Sequence, residues 1–282
     1  MPELRTADGR RLAWRETGAG PPLLCHPGGP GCSARYFGDM PELAAERTLL
    51  LLDPRGTGAS DRPASPAAYD LEDYAADIEA VREALGVDRI DVLGHSHGGF
   101  VAMTWAGTHP DRVRRLVLAS TAPRFTDAIR AARRERVASH AGQPYFEDAV
   151  AALEAQQAGR YDSDDELRAL FERAGRLFVV PGGDIAPVAA IYRASGINAD
   201  AIKHFNERIA AGMDLRPLLA RTGAPTLVVA GDRDFFAPAV AEIAAALPRA
   251  TVVTIPGADH YTFIEPAHRA AWASAVLGFL AA

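Results

Sequence analysis

Ser96 stands in a setting that suggests nucleophilic chemistry. It occupies the middle of Gly94-His95-Ser96-His97-Gly98, with a glycine two positions away on either side. A serine hydroxyl is a poor nucleophile unless an imidazole takes its proton, and that imidazole works best when a carboxylate fixes its tautomer. The segment therefore predicts a catalytic serine, provided that a histidine and an acid stand in suitable places elsewhere in the chain.

Two aspartates downstream of Ser96 are candidates for the acid. Asp232 and Asp234 follow the apolar run 226–230, and the loop after a strand of a parallel sheet is a common position for a functional carboxylate. Both also suit a turn or a helix N-cap, and we expect one of the two to have only that role. The spacing from Gly231 favours Asp234 as the catalytic acid.

His260 is the candidate base. It lies in a loop after the apolar run 251–255, whereas His268, the other histidine that follows the acid, falls on the predicted last helix. In one known arrangement of a serine triad the chain order is serine, acid, histidine. This order predicts that His260 shuttles the proton of Ser96 and that Asp234 orients His260.

Two backbone amides are candidates for stabilising the oxyanion of an acyl transfer. One donor normally belongs to the residue after the nucleophile, here His97, and the other to an early loop. The early loop is 26–31, His-Pro-Gly-Gly-Pro-Gly, in which glycines let amides approach a substrate and prolines fix the shape of the loop. We predict Gly29 as the second donor, with Gly28 as the alternative.

Strand and helix signals alternate along most of the chain and so predict how these residues are positioned. Helical periodicity follows Asp70, continues after Ser96 to about His109, and returns at 240–247 and from about 267. Strands are predicted at 11–16, 22–26, 48–53, 89–93, 115–120, 226–230 and 251–255. This order predicts an α/β fold with a mostly parallel, doubly wound sheet, and the candidate residues lie in loops at its carboxyl edge.

The alternation is interrupted once. From about Ala122 to Gly212 the sequence has helix signals and almost no strand signal, including a capping box at Ser163 and Glu166. We therefore predict a helical cap, residues 122–212, inserted into a core that residues 1–121 and 213–282 form together.

Composition excludes several classes of protein. The chain has 282 residues, of which 48% are hydrophobic and 23% charged, and its formal net charge of −6 favours neither nucleic acid nor an anionic membrane. The start lacks a basic segment followed by an apolar one, and no apolar run reaches the length of a membrane span. These features predict a cytoplasmic globular protein that binds neither nucleic acid nor a membrane.

Metal and disulfide chemistry are not expected. Cys25 and Cys32 lie close together in the chain, and we expect them to pack in the interior. His95 and His97 flank Ser96, but side chains two positions apart around a tight turn diverge, and no acid or cysteine cluster completes a metal-binding set nearby. We predict that the protein needs neither a metal nor an organic cofactor.

Five segments together resemble the α/β-hydrolase superfamily. They are the loop 26–31, the segment 53–60 (Asp-Pro-Arg-Gly-Thr-Gly-Ala-Ser), the GxSxG turn at Ser96, and the loops 231–234 and 257–260. The first two segments resemble the proline iminopeptidase branch in particular. The resemblance implies a triad of Ser96, Asp234 and His260, an oxyanion hole formed by Gly29 and His97, and a small-molecule or short-peptide substrate.

The chain departs from the iminopeptidase pattern in two places. That branch usually has Gly-Gly-Ser-Trp-Gly at the turn, where this chain has His95 and His97, and Pro27 separates the histidine of the early loop from its glycine pair. An iminopeptidase must also hold a free amino terminus with carboxylates from the cap. The cap acids considered for that role are Glu147, Asp148, Asp184 and Glu207.

Alternative functions on the same fold are therefore retained. They are a small-molecule carboxylesterase or lactonase, a cofactor-free lyase or haloperoxidase-like enzyme, and a binding protein without turnover. We interpret the arginine run 130–136 as a solvated helix face. The aromatic residues of the cap either line a pocket or form its core; they are Phe125, Tyr145, Phe146, Phe178, Tyr192 and Phe205.

Overall fold

Eight strands form one sheet in the computed structural model, which describes residues 1–282. They are β1 (Glu3–Arg5), β2 (Arg11–Thr17), β3 (Pro22–His26), β4 (Thr48–Asp53), β5 (Ile90–His95), β6 (Val113–Ala119), β7 (Thr226–Gly231) and β8 (Ala250–Ile255). Their order in space is β1-β2-β4-β3-β5-β6-β7-β8, with β2 antiparallel to both of its neighbours and every pair from β4 to β8 parallel. The prediction of a mostly parallel sheet is confirmed.

Eleven helices accompany the sheet. They are α1 (Pro41–Ala44), α2 (Leu71–Ala84), α3 (His97–Thr108), α4 (Asp127–Ala138), α5 (Phe146–Gln157), α6 (Asp164–Ala174), α7 (Ala186–Ala194), α8 (Ala199–His204), α9 (Arg216–Leu219), α10 (Val240–Ala246) and α11 (Arg269–Ala281). None of them combines the length and the apolar character needed to cross a bilayer.

The sheet is doubly wound because its strands bury side chains on both faces. Along β4, Leu49 and Leu51 enter one core together with side chains of α11, while Leu50 and Leu52 enter the other with side chains of α2, α3 and α10. Successive side chains of a strand point to opposite faces, so an unbroken leucine run fits a strand covered on both sides. Cys25 and Cys32 are free, fully buried and part of the first core.

Helices α4 to α8 and a π-helical turn at Phe205–Ile209 occupy the stretch between β6 and β7 that the sequence predicts to be helical. We call residues 122–212 the helical lobe. Ser163 accepts a hydrogen bond from the Glu166 amide at 3.2 Å, but the Glu166 carboxylate accepts from the amide of Asp162, at 2.7 Å, and not from that of Ser163. The lobe touches the core through an isolated bridge between Cys32 and Ile197.

Two end elements differ from the sequence prediction. Strand β1 is three residues long and pairs only with β2, which is too short a run for alternation to be visible in the sequence. The last helix begins at Arg269, so His268 precedes it, contrary to the prediction that places it on the helix. Its Nδ1 lies 2.9 Å from the Glu265 carboxylate.

The turn between β5 and α3 depends on a close approach of backbone segments. A β-carbon on Gly98 would lie 2.1 Å from the carbonyl oxygen of His26, and one on Gly94 would lie 2.2 Å from the carbonyl oxygen of Gly98. Only glycine can occupy such positions without moving the backbone. Between them, Ser96 has a φ of 54° and a ψ of −117°, a conformation that side-chain-bearing residues rarely adopt.

Replacement of Gly98 by alanine tests the close contact between Gly98 and the carbonyl of His26. We expect Gly98→Ala to lower the free energy of unfolding by about 1–3 kcal/mol or more, because the new methyl group meets fixed backbone. The matched control is Gly278→Ala in α11, where a β-carbon meets nothing within 4 Å. We expect this control to raise the free energy by about 0.5–1 kcal/mol through helix propensity. Urea unfolding of both variants measures the effects, and a G98A protein as stable as the parent would contradict the close approach.

Candidate active site

Ser96 lies at the carboxyl end of the central strand β5, immediately before α3. Its amide donates to the Ala119 carbonyl at 3.0 Å, and its carbonyl accepts from the Thr121 hydroxyl at 2.8 Å. These bonds to the neighbouring strand hold a backbone conformation that costs on the order of 1–3 kcal/mol. The half-buried side chain of Ser96 lines a cavity between the core and the helical lobe.

His260 and Asp234 form a buried pair beside the same cavity. The Nδ1 atom of His260 lies 3.1 Å from Oδ1 and 3.3 Å from Oδ2 of Asp234. Asp234 Oδ1 also accepts from the Phe236 amide at 2.9 Å. Burial by itself would raise the pKa of Asp234, but the charge and hydrogen bond of His260 outweigh it, so that the pKa lies below its ordinary value. Asp234 is therefore ionised at neutral pH, and its carboxylate accepts a hydrogen bond from Nδ1 of His260.

Asp232 has a different role from Asp234. Its side chain is exposed, and it accepts a hydrogen bond from the Gly257 amide at 2.8 Å, which braces the loop that leads to His260. Neither aspartate lines the cavity itself. Of the two aspartates that the sequence offers, only Asp234 contacts the histidine.

Gly29 and His97 line the cavity together with Ser96. Gly29 has a φ of 50°, and its amide donates to no backbone carbonyl. His97 is the first residue of α3, where an amide has no acceptor within the helix. Gly28, the alternative to Gly29, does not line the cavity. It packs against Tyr36, because a β-carbon on Gly28 would lie 2.7 Å from the Tyr36 hydroxyl.

His95 has a role that the sequence did not reveal. Its Nε2 lies 2.9 Å from the carbonyl oxygen of His260, and its Nδ1 lies 3.0 Å from the Tyr36 hydroxyl. Because a carbonyl can only accept, Nε2 carries the proton and Nδ1 accepts from the tyrosine. Burial, reinforced by the charge of His260, lowers the pKa of His95 to about 3. A neutral His95 thus ties the end of β5 to the loop that carries His260.

His97 directs its ring away from His95, into an aromatic cluster. The ring meets Tyr74 edge-on at a centroid distance of 5.4 Å and Phe205 at 5.2 Å. Burial, followed by the charge of His26, holds the pKa of His97 well below its ordinary value. The two histidines beside Ser96 are therefore neutral and point into different surroundings, as the tight turn predicts.

The segment 53–60 supports the loops around the cavity without lining it. The Asp53 carboxylate accepts from the amides of Ala34 and Ala59, at 2.8 and 2.9 Å. A β-carbon on Gly58 would overlap that carboxylate at 2.2 Å. The carbonyl of Gly56 accepts from the Asn198 side chain of the lobe at 3.1 Å. This motif therefore joins the lobe to the core.

The cavity has a volume of about 480 Å³ and a mainly aromatic wall. Phe125, Phe178, Tyr192 and Phe205 line it, as one of the two interpretations predicts. Tyr145 and Phe146 do not. The Tyr145 hydroxyl instead lies 2.9 Å from Nδ1 of His140. The Arg176 guanidinium lies over the Tyr145 ring. The cavity has the size of a small-molecule site.

No aspartate or glutamate lines the cavity. Of the four lobe acids considered as amine anchors, Asp148 pairs with Arg173 at 2.6 Å on the surface, and Asp184 accepts from the Ala186 amide. Glu147 and Glu207 are exposed. The structure therefore brings none of these four carboxylates to the site.

The arginine run of α4 divides between surface and cavity. Arg134 is exposed, as expected of a solvated face. Arg133 lines the cavity and is half-buried, contrary to that expectation, whereas Arg130 lines the cavity with its side chain still 53% exposed. Arg133 is spaced four residues from the buried Ile129, which places it on the inner side of the helix. That spacing is the sequence signal that would have separated Arg133 from Arg134.

The sheet, the turn at Ser96 and the helical lobe define the class of an α/β-fold hydrolase. Residues 21–267 match the family described as alpha/beta hydrolase fold. The chain therefore belongs to this family, and it is an enzyme of the hydrolase type.

Individual relatives agree with this family. The chain is 32% identical over 251 residues to 2-(acetamidomethylene)succinate hydrolase of Mesorhizobium japonicum, covering 88% of this chain and 84% of that protein. It is 33% identical to a proline iminopeptidase of Heyndrickxia coagulans over only 105 residues, 37% of this chain and 36% of that protein. A hydrolase structure from Pseudomonas aeruginosa PA01 superposes with a TM-score of 0.70 at 32% identity, over 100% of this chain and 98% of the other.

The two aspartates give an isosteric test of the acid. We expect Asp234→Asn to lower kcat for 4-nitrophenyl acetate by about 10³–10⁴-fold, because an amide no longer holds His260 in the required tautomer. We expect Asp232→Asn to change kcat less than about threefold, since its amide oxygen still accepts from the Gly257 amide. Steady-state kinetics of both variants measure the difference, and a larger loss at position 232 would reverse the assignment.

Proposed function

We propose that this enzyme is a serine hydrolase that works without a cofactor through an acyl-enzyme on Ser96. The observation that carries the proposal is the buried pair of Asp234 and His260 beside the cavity that Ser96 lines. The amides of Gly29 and His97 at the same cavity support an oxyanion hole.

The proposed reaction has two halves, acylation of Ser96 and hydrolysis of the acyl-enzyme, and His260 transfers protons in both. The Ser96 hydroxyl attacks the substrate carbonyl while Nε2 of His260 takes its proton, because Nδ1 faces Asp234. The amides of Gly29 and His97 stabilise the negative oxygen of the tetrahedral intermediate. His260 then protonates the leaving group, and a water molecule activated by the same imidazole releases the acid product and restores Ser96.

The cavity supports a small acyl substrate without a free amino terminus. An iminopeptidase would need a carboxylate to hold the substrate amine, and no acidic side chain lines the cavity. A relative that covers 88% of this chain is by name a 2-(acetamidomethylene)succinate hydrolase, whereas proline iminopeptidases match over 36–58% of this chain. We therefore favour hydrolysis of a small ester, lactone or amide over removal of an N-terminal residue.

Labelling with a fluorophosphonate tests the nucleophile. We expect one adduct on Ser96 in the parent enzyme, and we expect Ser96→Ala to abolish both the adduct and ester turnover while the circular dichroism spectrum is unchanged. The control is Ser65→Ala, at an exposed serine outside the cavity, which should label and turn over like the parent. Turnover within tenfold of the parent in S96A would rule out Ser96 as the nucleophile.

A substrate panel separates the small-acyl proposal from the iminopeptidase prediction. We expect turnover of 4-nitrophenyl acetate and butyrate, and no advantage of proline 4-nitroanilide over its N-acetylated form, because the cavity has no partner for the free amine. Initial rates measured by nitrophenolate and nitroaniline release provide the comparison. Cleavage of the free-amine anilide that disappears on acetylation would favour the iminopeptidase instead.

A further inference from the structure

Arg133 is a charged side chain without a partner at the wall of the active-site cavity. It is one of two arginines that line the cavity, and Nε of its guanidinium is buried without a hydrogen-bond partner. Arg130, the other arginine, bonds to the Asp127 carboxylate at 2.8 Å and to the Phe125 carbonyl at 3.0 Å. Arg133 is therefore the cation that remains available to a ligand.

Aromatic rings hold the Arg133 guanidinium close to the proposed base. Its central carbon lies 5.4 Å from the ring centre of Phe178 and 6.0 Å from that of Phe235. The Phe235 ring in turn lies 4.6 Å from the imidazole of His260. One aromatic ring, that of Phe235, thus lies between the guanidinium and the imidazole of the proposed base.

The charge of Arg133 is not balanced by the protein at the cavity. No aspartate or glutamate lines the cavity, and burial lowers the pKa of Arg133, opposed only by Tyr261. An arginine nevertheless stays protonated at any physiological pH. A cation withdrawn from water without an anionic partner is unfavourable, and contacts with aromatic rings replace only part of its hydration. Such an arrangement is expected where a ligand supplies the missing anion.

We propose that Arg133 binds a carboxylate of the substrate and so selects small carboxylate-bearing acyl compounds. The proposal rests on the hydrolase function assigned to the cavity above. The planar guanidinium donates two parallel hydrogen bonds to a planar carboxylate, which fixes its orientation as well as its charge. A single free cation in a mainly aromatic cavity of about 480 Å³ suits one such group better than a doubly charged phosphate.

Two matched substrate pairs test the selection. One pair is 4-acetoxybenzoate and its methyl ester, with the charge on the leaving group; the other is monomethyl and dimethyl glutarate, with the charge on the acyl chain. In the parent we expect kcat/KM to be higher for the anionic member of at least one pair. Arg133→Met should lower the ratio of anionic to neutral kcat/KM in that pair by about 10–100-fold, as expected for loss of a charged hydrogen-bonded partner.

The control variant is Arg134→Met, the neighbouring arginine on the exposed side of α4. We expect R134M to change the same ratio less than twofold. We also expect R133M to melt at or above the temperature of the parent, because it removes a half-buried charge whose Nε has no hydrogen-bond partner. A ratio that is unchanged in R133M, or a parent that prefers the neutral member of both pairs, would overturn the proposal.

A binding measurement distinguishes failure of this proposal from failure of the hydrolase function. In Ser96→Ala protein, calorimetry should detect glutarate but not glutaramide, and adding Arg133→Met should weaken glutarate at least tenfold. Equal affinity with and without Arg133 overturns the carboxylate site even if esters are hydrolysed. Loss of fluorophosphonate labelling and of all ester turnover in the parent would instead contradict the serine mechanism, whatever the result for glutarate.

Discussion

The approach of Gly98 to the carbonyl of His26 is the contact on which the site depends. The amino end of α3 packs so closely on the end of β3 that no side chain fits between them, with only 2.1 Å available to a β-carbon. This contact fixes the turn that lifts Ser96 out of the sheet, and it also sets the starting point of the loop that carries Gly29. The proposed nucleophile and the proposed oxyanion donor are therefore positioned by the same backbone contact.

Burial keeps three histidines near the site out of acid–base chemistry at neutral pH. It lowers the pKa of His26 to about 4 and that of His95 to about 3, and it keeps His97 neutral as well. These three rings serve as neutral packing and hydrogen-bonding groups. His260 differs because its Nδ1 lies 3.1 Å from the carboxylate of Asp234, a partner that none of the other three rings has.

Much of this arrangement is predictable from the sequence because local signals and chain order agree. The parallel strands, the turn at Ser96 and the loop of His260 each carry a periodic or glycine signal. Spacing from Gly231 alone favours Asp234 over Asp232 as the acid. In the structure the Asp234 carboxylate is buried against His260, and the Asp232 carboxylate accepts from the Gly257 amide.

Other features depend on packing between segments distant in sequence. The bond of His95 to the His260 carbonyl spans 165 residues, and no local pattern encodes it. Tyr145, Phe146 and Phe178 are all aromatic residues of the lobe, and the sequence does not distinguish them, yet only Phe178 lines the cavity. Helical spacing places Arg133 on the inner side of α4, but only the docking of the lobe determines that this side faces Ser96.

The core and the lobe divide the work of the site. All groups assigned to bond breaking come from loops at the carboxyl edge of the sheet, whereas Arg133 and much of the aromatic wall come from the lobe. Polar bonds hold the lobe to the core, among them the Val180 amide to Asp259, beside His260, and the Asn198 side chain to the Gly56 carbonyl. The hydroxyls of Tyr192 in the lobe and Tyr261 in the core also lie 2.5 Å apart. The first two bonds involve no side chain that lines the cavity, whereas the two tyrosines both line it. Substrate choice can therefore change through residues such as Arg133 while the chemistry at Ser96 stays the same.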